Sequence, residues 1–497
     1  MSHAAARTSK NHPLQIAELV VGPGFGRIGI TFCPGKKDPQ ALTGAWDRDL
    51  GVDLDAIAAW GASAIVTLVE AHELEDLKVP MLGREVERRH MAWLHLPIAD
   101  VTAPGAAFEA LWHVHGPGIR ARLRDGFNVL VHCKGGLGRA GTIAARLAAE
   151  LGMAPQTAVE QVRAVRKGAI ETTVQFGHVL AIMPVMEAAP AQDEASRMDR
   201  AVGALVGLAV GDALGTTLEF ARRNDKAERL TDMIGGGPFH LQPGGWTDDT
   251  AMALALTDSL QVCESFDARD LMQRFEGWMA KGDYIHTGVC FDIGNTTRAA
   301  IREWMATGNP MAGSTDPHSA GNGSLMRLAP VAIRHWNDPE VRRSVAAGQS
   351  QTTHGAAEAV DACVLFADML AEAIAGAPRE AVLAPRSFAG SERIAAIAAG
   401  CWRGKHRNAI SGSGYVVDAL EAALWCIGST MSFREAILMA ANLRDDADTT
   451  AAIAGQLAGA LYGLRAIPPE WRDKLAWRPR IEGMAEGLWR KACESRA

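Results

Sequence analysis

The fold of the larger part of the chain is organised around residues 244–250, Gly-Gly-Trp-Thr-Asp-Asp-Thr, which lead directly into the apolar run 251–256. Residues 444–450, Arg-Asp-Asp-Ala-Asp-Thr-Thr, repeat this chemistry ahead of a run of small residues at 451–455. Carboxylates brought together inside a fold repel each other unless a cation compensates them, and Mg²⁺ and Mn²⁺ prefer oxygen ligands. We therefore expect the two clusters to form two halves of one metal site.

The length and composition indicate a soluble enzyme with more than one domain. The chain has 497 residues, of which 48% are hydrophobic and 22% are charged. A single core usually stops growing at roughly 250–300 residues, so at least two domains are expected. The net charge of -7 provides no basic surface, so no nucleic-acid partner is evident.

The cysteine pattern and the N-terminus point to the cytoplasm. The eight cysteines form no CxxC pair, which suits a reducing compartment. The first residues lack the apolar core of a signal peptide. The most membrane-like stretch, 201–210, is ended by Asp212, well short of the ~20 residues that a spanning helix needs. We therefore expect a cytoplasmic protein with no membrane association.

The first half of the chain alternates between strand and helix patterns. Strand patterns occupy 26–31, 63–69, 93–96 and 128–132, and helix patterns occupy 53–60, 82–91 and 105–124, the last interrupted at Gly116-Pro117. This alternation predicts an α/β domain with a mainly parallel sheet. We place the domain at residues 25–186, after a flexible N-terminus at 1–24.

The last of these strands leads into a phosphate-binding pattern. The pattern is Cys133-Lys134-Gly135-Gly136-Leu137-Gly138-Arg139, followed by a helix pattern at 140–151. A glycine-rich loop at a helix N-terminus offers backbone N–H groups to an oxyanion, and Arg139 adds a fork for two phosphate oxygens. The same positive field keeps Cys133 as a thiolate, so a phosphocysteine intermediate is feasible. The alternative interpretation is a buried core cysteine.

This segment, His132-Cys133-x5-Arg139, resembles the signature loop of cysteine-based protein tyrosine and dual-specificity phosphatases, and its glycine-rich filling resembles the kinase-associated type. The resemblance implies a cysteine phosphatase fold in which residues 134–139 bind phosphate and Cys133 attacks phosphorus. It also implies that Asp100 protonates the leaving oxygen and that Gln175 lies near the site.

The residue after the loop arginine departs from the family pattern. Families of this kind usually carry Ser or Thr there, whereas this chain carries Ala140. The hydroxyl eases departure of the thiolate in the hydrolysis step. Slow turnover, or help from Thr142, is the implied consequence.

The second half is predicted to be all-α. The segment 187–197 loses apolar periodicity and is interpreted as a linker, so we place the second domain at residues 198–497. Helix patterns occupy 250–262, 271–279, 296–307, 355–374, 416–425, 433–442 and 449–464. Gly203, Gly207, Gly211 and Gly215 recur every fourth residue, which predicts a helix face that another helix approaches closely.

Five motifs of the second half together resemble those of ADP-ribosylglycohydrolases. They are 207–215 (GLAVGDALG), 246–250 (WTDDT), 290–294 (CFDIG), 321–327 (GNGSLMR) and 445–450 (DDADTT). The likeness is greatest to the dinitrogenase-reductase-activating type, which removes ADP-ribose from arginine. The resemblance implies an all-helical domain with two adjacent Mg²⁺ or Mn²⁺ ions. Such ions can orient ribose hydroxyls and a water molecule at the anomeric carbon.

The same resemblance assigns roles to particular residues. The metal ligands are Thr247, Asp248 and Asp249 on one side and Asp446, Asp448 and Thr449 on the other. Asp292 and Glu219 are the catalytic candidates. The substrate-binding candidates are Trp246, Asn322, Gly323, Ser324, His354 and Tyr415. Arg444 departs from the family, which commonly has glycine before the aspartates. A helix N-cap pair is the alternative interpretation of Asp248 and Asp249.

The preferred hypothesis is a bifunctional hydrolase. One module removes ADP-ribose from protein side chains, with arginine favoured, or from small ADP-ribose derivatives, and the other hydrolyses phosphate esters of proteins or small molecules. The alternative is a regulatory or sensor protein in which one module binds phosphorylated or ADP-ribosylated partners without turnover. The sequence leaves open the acceptor linkage, the phosphatase substrate, Mg²⁺ against Mn²⁺, whether the modules share a substrate, and the oligomeric state.

Overall fold

The computed structural model describes residues 6–41, 44–224 and 227–494. The chain divides into two compact units, the first made of Met1–Ala188 and Arg403–Arg407, the second of Ala189–Trp402 and Asn408–Ala497.

The first unit is built on a mainly parallel sheet, as predicted. Its strands are β1 (Ala17–Val20), β2 (Arg27–Phe32), β3 (Lys37–Asp38), β4 (Trp46–Asp47), β5 (Ala62–Thr67), β6 (Ala92–His95) and β7 (Asn128–Cys133). The main sheet has the order β1-β2-β7-β5-β6, in which β1 is antiparallel to β2 and the other neighbours are parallel. The strands β3 and β4 form a separate antiparallel pair.

The N-terminal segment differs from the prediction of a flexible 1–24. It contains β1, which pairs with β2 from Ala17↔Ile30 to Val20↔Arg27. Leu19 is only 1% exposed, so burial of this side chain adds to the backbone pairing. Residues 1–5 of the predicted segment lie outside the described residues.

Helices flank the sheet. They are α1 (Leu50–Ala59), α2 (Ala71–Asp76), α3 (Leu82–Glu87), α4 (Ala106–Arg124), α5 (Gly138–Glu150), α6 (Pro155–Val165) and α7 (Thr173–Leu180). Helix α4 runs through Pro117 without the predicted interruption. Proline removes the hydrogen bond to the carbonyl four residues earlier, and that residue, His113, is exposed, so water can satisfy its carbonyl.

The register of the parallel strands brings their carboxyl ends to one edge. Phe32 pairs with Cys133, and Thr67 pairs with both His132 and His95. In open α/β sheets this edge is where ligands bind. The predicted phosphate-binding loop therefore leaves β7 at the edge that suits a site.

The second unit is helical, as predicted. Its α-helices are α8 (Glu194–Gly215), α9 (Asp248–Val262), α10 (Ala268–Lys281), α11 (Asn295–Thr307), α12 (Ala329–Arg334), α13 (Pro339–Gln351), α14 (Ala357–Ala375), α15 (Arg379–Val382), α16 (Glu392–Ala398), α17 (Val416–Ser429), α18 (Phe433–Ala441), α19 (Ala447–Tyr462), α20 (Pro469–Lys474) and α21 (Arg478–Glu494). Helix α8 begins four residues before the predicted domain start, because Asp193 caps it by accepting a hydrogen bond from the Ser196 amide at 2.9 Å.

The glycines of α8 pack against α19, as their spacing predicts. A Cβ atom at Gly203 would lie 2.5 Å from the carbonyl oxygen of Gly459, and one at Gly215 would lie 2.4 Å from that of Ala447. The two helices therefore run antiparallel at backbone contact. A Cβ atom at Gly215 would also lie 2.5 Å from the Cα atom of Asp448, so this packing brings the end of α8 to the second acidic cluster.

One helical segment in the described part of the chain, Glu194–Leu218, is long and apolar enough to cross a membrane, with a mean hydropathy of 1.6. However, 89% of its most apolar window is buried inside the protein. Its apolarity is accounted for by its place in the core.

Candidate active sites

The glycine-rich loop wraps around the sulfur of Cys133. This residue ends β7 and is 3% exposed, and the amide of Gly136 donates a hydrogen bond to its Sγ at 3.2 Å. Gly136 has φ +70°, and a Cβ atom there would lie 2.5 Å from the carbonyl carbon of Thr31. Only glycine fits this left-handed position against β2. Helix α5 begins at Gly138, so Arg139 lies in its first turn.

Arg139 is held rigidly with one N–H left free. Its Nη1 and Nη2 atoms donate to the two carboxylate oxygens of Glu73 at 2.6 and 2.9 Å, and Nη1 also donates to the carbonyl of Ile98 at 2.9 Å. Burial raises the pKa of Glu73, but the hydrogen bonds from Arg139 outweigh it and keep that pKa below its ordinary value. The Nε atom of Arg139 is buried and has no partner. A buried, unpaired donor beside this loop fits an oxyanion.

Asp100 lies at the mouth of the same site. Its Oδ1 is 3.1 Å from Arg139 Nη2, and 63% of its side chain is exposed. Gln175 is buried and donates to the carbonyl of Thr102 at 3.1 Å, so it tethers the segment that carries Asp100. Asp100 is therefore within reach of a leaving group bound next to Arg139.

The first turn of α5 offers no free hydroxyl to the sulfur. Ala140 is fully buried, and the hydroxyl of Thr142 donates to the carbonyl of Gly138 at 2.8 Å. Because this hydroxyl is engaged within its own helix, Thr142 does not replace the Ser or Thr that usually follows the loop arginine.

In the second unit, both acidic clusters lie at helix N-termini. Thr247 is the N-cap residue of α9 and Asp446 is that of α19. Asp212 of α8 fixes the first cluster, because its carboxylate accepts hydrogen bonds from the amide and hydroxyl of Thr247 at 2.9 and 3.0 Å and from those of Thr250 at 3.0 and 2.6 Å. Three helices therefore converge on one acidic centre.

The carboxylates of this centre lie close together. The ligand oxygens of Asp212, Asp249 and Asp448 lie within 4.8 Å of one another, and so do those of Glu219, Asp446 and Asp448. Glu219 also accepts hydrogen bonds from the amides of Ala447 and Asp448 at 2.7 and 3.2 Å.

The two predicted threonine ligands and one asparagine join this centre. Thr449 Oγ1 donates to Asp249 at 3.2 Å, and Thr247 Oγ1, whose proton goes to Asp212, lies 3.4 Å from Asp448. The amide of Asn322 donates to Asp446 at 2.6 Å.

Burial, together with the repulsion between neighbouring carboxylates, raises the pKa values of these acids. Burial, and then the Asp448 carboxylate, raise the pKa of Asp212 and of Asp446 to about 7 and that of Asp292 to about 9. Burial raises the pKa of Glu219 to about 12, with further contributions from Asp448.

The residues fit a divalent cation. Among the described residues, no lysine or arginine lines the cavity, and the Oδ2 atom of Asp249 is buried without a hydrogen-bond partner. Oxygen donors of carboxylates and hydroxyls are the set that Mg²⁺ and Mn²⁺ prefer. The acidic residues can therefore hold a metal ion.

A cavity of about 390 Å³ opens above this centre. Residues from several segments line it: Glu219, Phe220, Asp248, Asp292, Ile293, Gly294, Asn295, Thr296, Thr297, Gly321, Asn322, Gly323, Met326, His354, Gly414, Asp446, Asp448 and Thr449. The structure thus brings Asp292 and Glu219, the catalytic candidates, to the same space as the acidic clusters. Thr247 and Asp249 belong to the centre but do not line the cavity.

Three predicted substrate-binding residues are not brought to the cavity. Trp246 is fully buried, and its Nε1 donates to the carbonyl of Ala476 at 3.0 Å. Ser324 accepts a hydrogen bond from Ser350 at 2.8 Å in the core. The hydroxyl of Tyr415 is bonded to Arg393 at 2.9 Å and to Glu358. Each side chain has a structural partner instead. Arg444 also lies off the cavity, where its Nη2 reaches the carbonyl of Glu228 at 3.4 Å.

Comparison with known proteins decides the family. Residues 193–497 match the sequence model described as ADP-ribosylglycohydrolase. The chain belongs to the ADP-ribosylglycohydrolase family. Residues 38–179 match a second model, described as the DSP-PTPase phosphatase domain of a Swiss Army Knife protein. Both assignments agree with the fold of their unit, and both indicate hydrolase activity.

Relatives of this ADP-ribosylglycohydrolase match a little over half of the chain. The ADP-ribosylarginine hydrolase Tri1 of Pseudomonas putida (strain GB-1) is 49% identical over 297 residues, which are 59% of this chain and 79% of that protein. The ADP-ribosyl-(dinitrogen reductase) glycohydrolase of Rhodospirillum rubrum is 35% identical over 285 residues, 56% of this chain and 90% of that protein. A solved structure, an ADP-ribosylglycohydrolase-related protein complex, is 41% identical with a TM-score of 0.53 and covers 60% of this chain and 99% of that one.

Sequence reasoning missed several residues that shape the two sites. Asp212 lies inside the 207–215 motif, but nothing in the sequence shows that it faces Thr247 and Thr250. Glu73 is 66 positions from Arg139 in the chain. Lys36 is buried, and its ammonium group donates a hydrogen bond to the carbonyl of Lys134 at 3.2 Å. This bond holds the first residue of the phosphate-binding loop in place.

Proposed function

We propose that the second unit removes ADP-ribose from arginine side chains with the help of two divalent cations, Mg²⁺ or Mn²⁺. The observation that carries this proposal is the meeting of carboxylates from α8, α9 and α19 in one buried acidic centre, beside a cavity that no lysine or arginine lines within the described residues. The arginine linkage is favoured because one relative is named an ADP-ribosylarginine hydrolase. A second relative is named an ADP-ribosyl-(dinitrogen reductase) glycohydrolase, the type that the sequence motifs resemble.

In this proposal the cations are held by Thr247, Asp248, Asp249, Asp446, Asp448 and Thr449, with Asp212 orienting the first group. When bound, they would act as Lewis acids that orient the ribose hydroxyls and polarise a water molecule. The carboxylate of Glu219 accepts hydrogen bonds from the amides of Ala447 and Asp448 at the start of α19, and these bonds fix the position of Asp448.

Asp292 is the proposed proton-transfer residue. Its carboxyl lines the cavity and is hydrogen-bonded to Asp448. Cations held by the neighbouring acids would favour its carboxylate form, which can accept a proton and then return it. It takes the proton of the water that attacks the anomeric carbon and returns it to the leaving nitrogen of the guanidine. The products are ADP-ribose and an unmodified arginine side chain.

A panel of acceptor linkages tests this proposal. Pure protein is incubated with ADP-ribose linked to arginine, to serine and to a terminal phosphate, each with EDTA or with Mg²⁺ or Mn²⁺, and released ADP-ribose is quantified. We expect cleavage of the arginine linkage that requires the cation. Faster cleavage of another linkage, or full activity in EDTA, contradicts the proposal.

We further infer that the first unit hydrolyses phosphate esters through Cys133. The unpaired Nε of Arg139 and the loop amides would bind the phosphate, the thiolate would attack phosphorus, and Asp100 would protonate the leaving oxygen. Water then releases phosphate from the sulfur. The substrate is a phosphorylated protein or a small phosphate ester. Cys133→Ser should abolish hydrolysis of a phosphopeptide while EDTA leaves it unchanged, and a fully active Cys133→Ser protein contradicts the inference.

A further inference from the structure

Three phenylalanine side chains form a chain of ring contacts beside the cavity of the second unit. The rings of Phe220 and Phe239 meet edge to face with their centroids 6.2 Å apart. The rings of Phe239 and Phe291 are tilted against each other with their centroids 5.2 Å apart. We call Phe220, Phe239 and Phe291 the phenylalanine patch. Its members come from three segments that are distant in the sequence, so the fold alone brings them together.

The phenylalanine patch adjoins the proposed reaction centre. Phe220 lines the cavity and directly follows Glu219, which lines it too. Phe291 directly precedes Asp292, the proposed proton-transfer residue. Phe239 does not line the cavity. The patch therefore begins at the cavity and continues beyond its wall.

Packing does not account for the position of Phe220. This residue is 64% exposed, and its φ of +58° lies in the left-handed region, which is unfavourable for a bulky side chain. Two backbone hydrogen bonds hold the segment in this conformation: the amide of Phe220 donates to the carbonyl of Asp445 at 2.8 Å, and the amide of Asp445 donates to that of Ala221 at 2.9 Å. The fold thus keeps an exposed aromatic ring at the cavity edge at a cost to the backbone. Exposed aromatic side chains that adjoin a site are typical of binding surfaces.

The proposed substrate determines what covers this surface. The modified arginine is bonded to the anomeric carbon, and Asp292 transfers a proton at that bond, so the acceptor polypeptide leaves the cavity near Asp292. The phenylalanine patch lies next to Asp292 in the chain and has no charged member. Its complement is therefore an apolar side chain of the acceptor.

We propose that the phenylalanine patch is an acceptor-docking surface, which binds an apolar side chain next to the ADP-ribosylated arginine of a protein. This inference rests on the proposed function of the second unit. It adds the chemistry of the sequence around the arginine that this unit prefers. Free ADP-ribosylarginine has no neighbouring residues, so it does not use the part of the patch beyond the cavity wall.

Two peptides that each contain one ADP-ribosylated arginine test this inference. They are identical except that the residues on both sides of the arginine are leucine in one peptide and serine in the other. Free ADP-ribosylarginine is the third substrate. The kcat/KM for each substrate is measured in Mn²⁺ with the wild type and with Phe239→Ala, Phe239→Leu and Phe220→Ser proteins.

Phe266→Ala is the matched control. Phe266 is half-buried like Phe239, and a Cβ atom at Gly348 would lie 2.8 Å from its ring. Phe266 follows the C-terminal end of α9, whereas the acidic centre lies at the N-terminus of this 15-residue helix. The two ends of the helix are about 22 Å apart, so the control removes a similar side chain far from the cavity.

We expect the wild type to cleave the leucine peptide with a kcat/KM about tenfold higher than that for the serine peptide. Phe239→Ala and Phe220→Ser should bring this ratio close to one, whereas Phe239→Leu should keep most of it because leucine is also apolar. Phe266→Ala should keep the wild-type ratio. Because Phe239 does not line the cavity, its truncation should affect the leucine peptide far more than free ADP-ribosylarginine.

A wild-type ratio close to one overturns the inference, as do Phe239→Ala and Phe220→Ser proteins that keep the wild-type ratio. Should Phe239→Ala not fold, Phe220→Ser decides, because Phe220 is exposed. Light scattering tests whether a second copy of the chain covers the patch. A dimer that Phe220→Ser converts into a monomer with an unchanged ratio also overturns the inference. Equal cleavage of both peptides leaves the proposed function intact, whereas a wild-type protein that cleaves none of the three substrates contradicts the proposed function itself.

Discussion

The acidic centre should make the metal-free protein lose stability as the pH rises. The pKa of Asp212 and that of Asp446 are each raised from 3.8 to about 7 by burial and then by Asp448. A carboxyl group whose pKa is higher in the folded state stabilises the fold fully below its unfolded pKa, and this contribution is lost as the pH rises through the folded pKa. For one such group, the free energy of unfolding falls by about 2.6 kcal/mol between about pH 5 and pH 8.

This free energy converts into a measurable change in melting temperature. A domain of roughly 300 residues has an unfolding entropy of about 0.6 kcal/mol/K, so one group lowers Tm by about 4 °C. Melting is followed by calorimetry at a series of pH values, with EDTA and with Mg²⁺. At each pH the Tm in EDTA is subtracted from the Tm in Mg²⁺. Groups far from the centre, such as His335, titrate alike in both conditions, so their effect on Tm cancels in this difference.

We expect this Tm difference to grow by about 4 °C or more from about pH 5 to pH 8, because a bound cation replaces the protons that the acids otherwise need. Asp446→Asn should reduce this increase in the Tm difference, because the asparagine amide does not titrate. Asp445→Asn is the control, because Asp445 is exposed and does not line the cavity. A Tm difference that is constant or shrinks with pH refutes the reasoning.

Three further outcomes are expected. Asp292→Asn should still bind metal and ADP-ribose but cleave the arginine linkage about 10²–10⁴-fold more slowly; normal cleavage by this variant would exclude the proton-transfer role. Gly136→Ala should lower phosphopeptide hydrolysis by about 100-fold, because the new Cβ atom would clash with β2 and displace the phosphate-binding loop. Release of ADP-ribose by the same protein should stay unchanged and is the internal control. Ala140→Ser should raise phosphatase turnover and remove a product burst seen in rapid mixing; the absence of both a burst and a gain would count against slow breakdown of phosphocysteine.

The parts of both sites that could be predicted are those written in short contiguous segments. The two acidic clusters directly precede apolar helices, and the phosphate loop joins a strand to a helix, so local pattern and chemistry coincide. The spacing of Gly203 to Gly215 predicted a close helix contact, and the structure supplies α19 as the partner.

The parts that could not be predicted depend on pairings across the chain. Glu73 becomes a partner of Arg139 only because the fold brings α2 within hydrogen-bond distance of α5, and Asp212 reaches Thr247 only because the fold brings α8 to the N-terminus of α9. Trp246 stands next to Thr247 in sequence, yet its side chain turns away to Ala476. Being next to a site residue in the sequence does not fix the direction of a side chain. The residue that the side chain contacts in the folded structure fixes it.

The claim that the acidic clusters form a metal-dependent hydrolase centre is tested most directly by counting bound Mn²⁺. Free Mn²⁺ is measured by electron paramagnetic resonance as wild-type, Asp248→Ala and Asp445→Asn proteins are titrated. We predict two bound ions in the wild type and in Asp445→Asn, and a loss of at least about tenfold in affinity in Asp248→Ala, because removing one carboxylate removes a charged ligand. An Asp248→Ala protein that binds two Mn²⁺ ions with undiminished affinity would contradict the account.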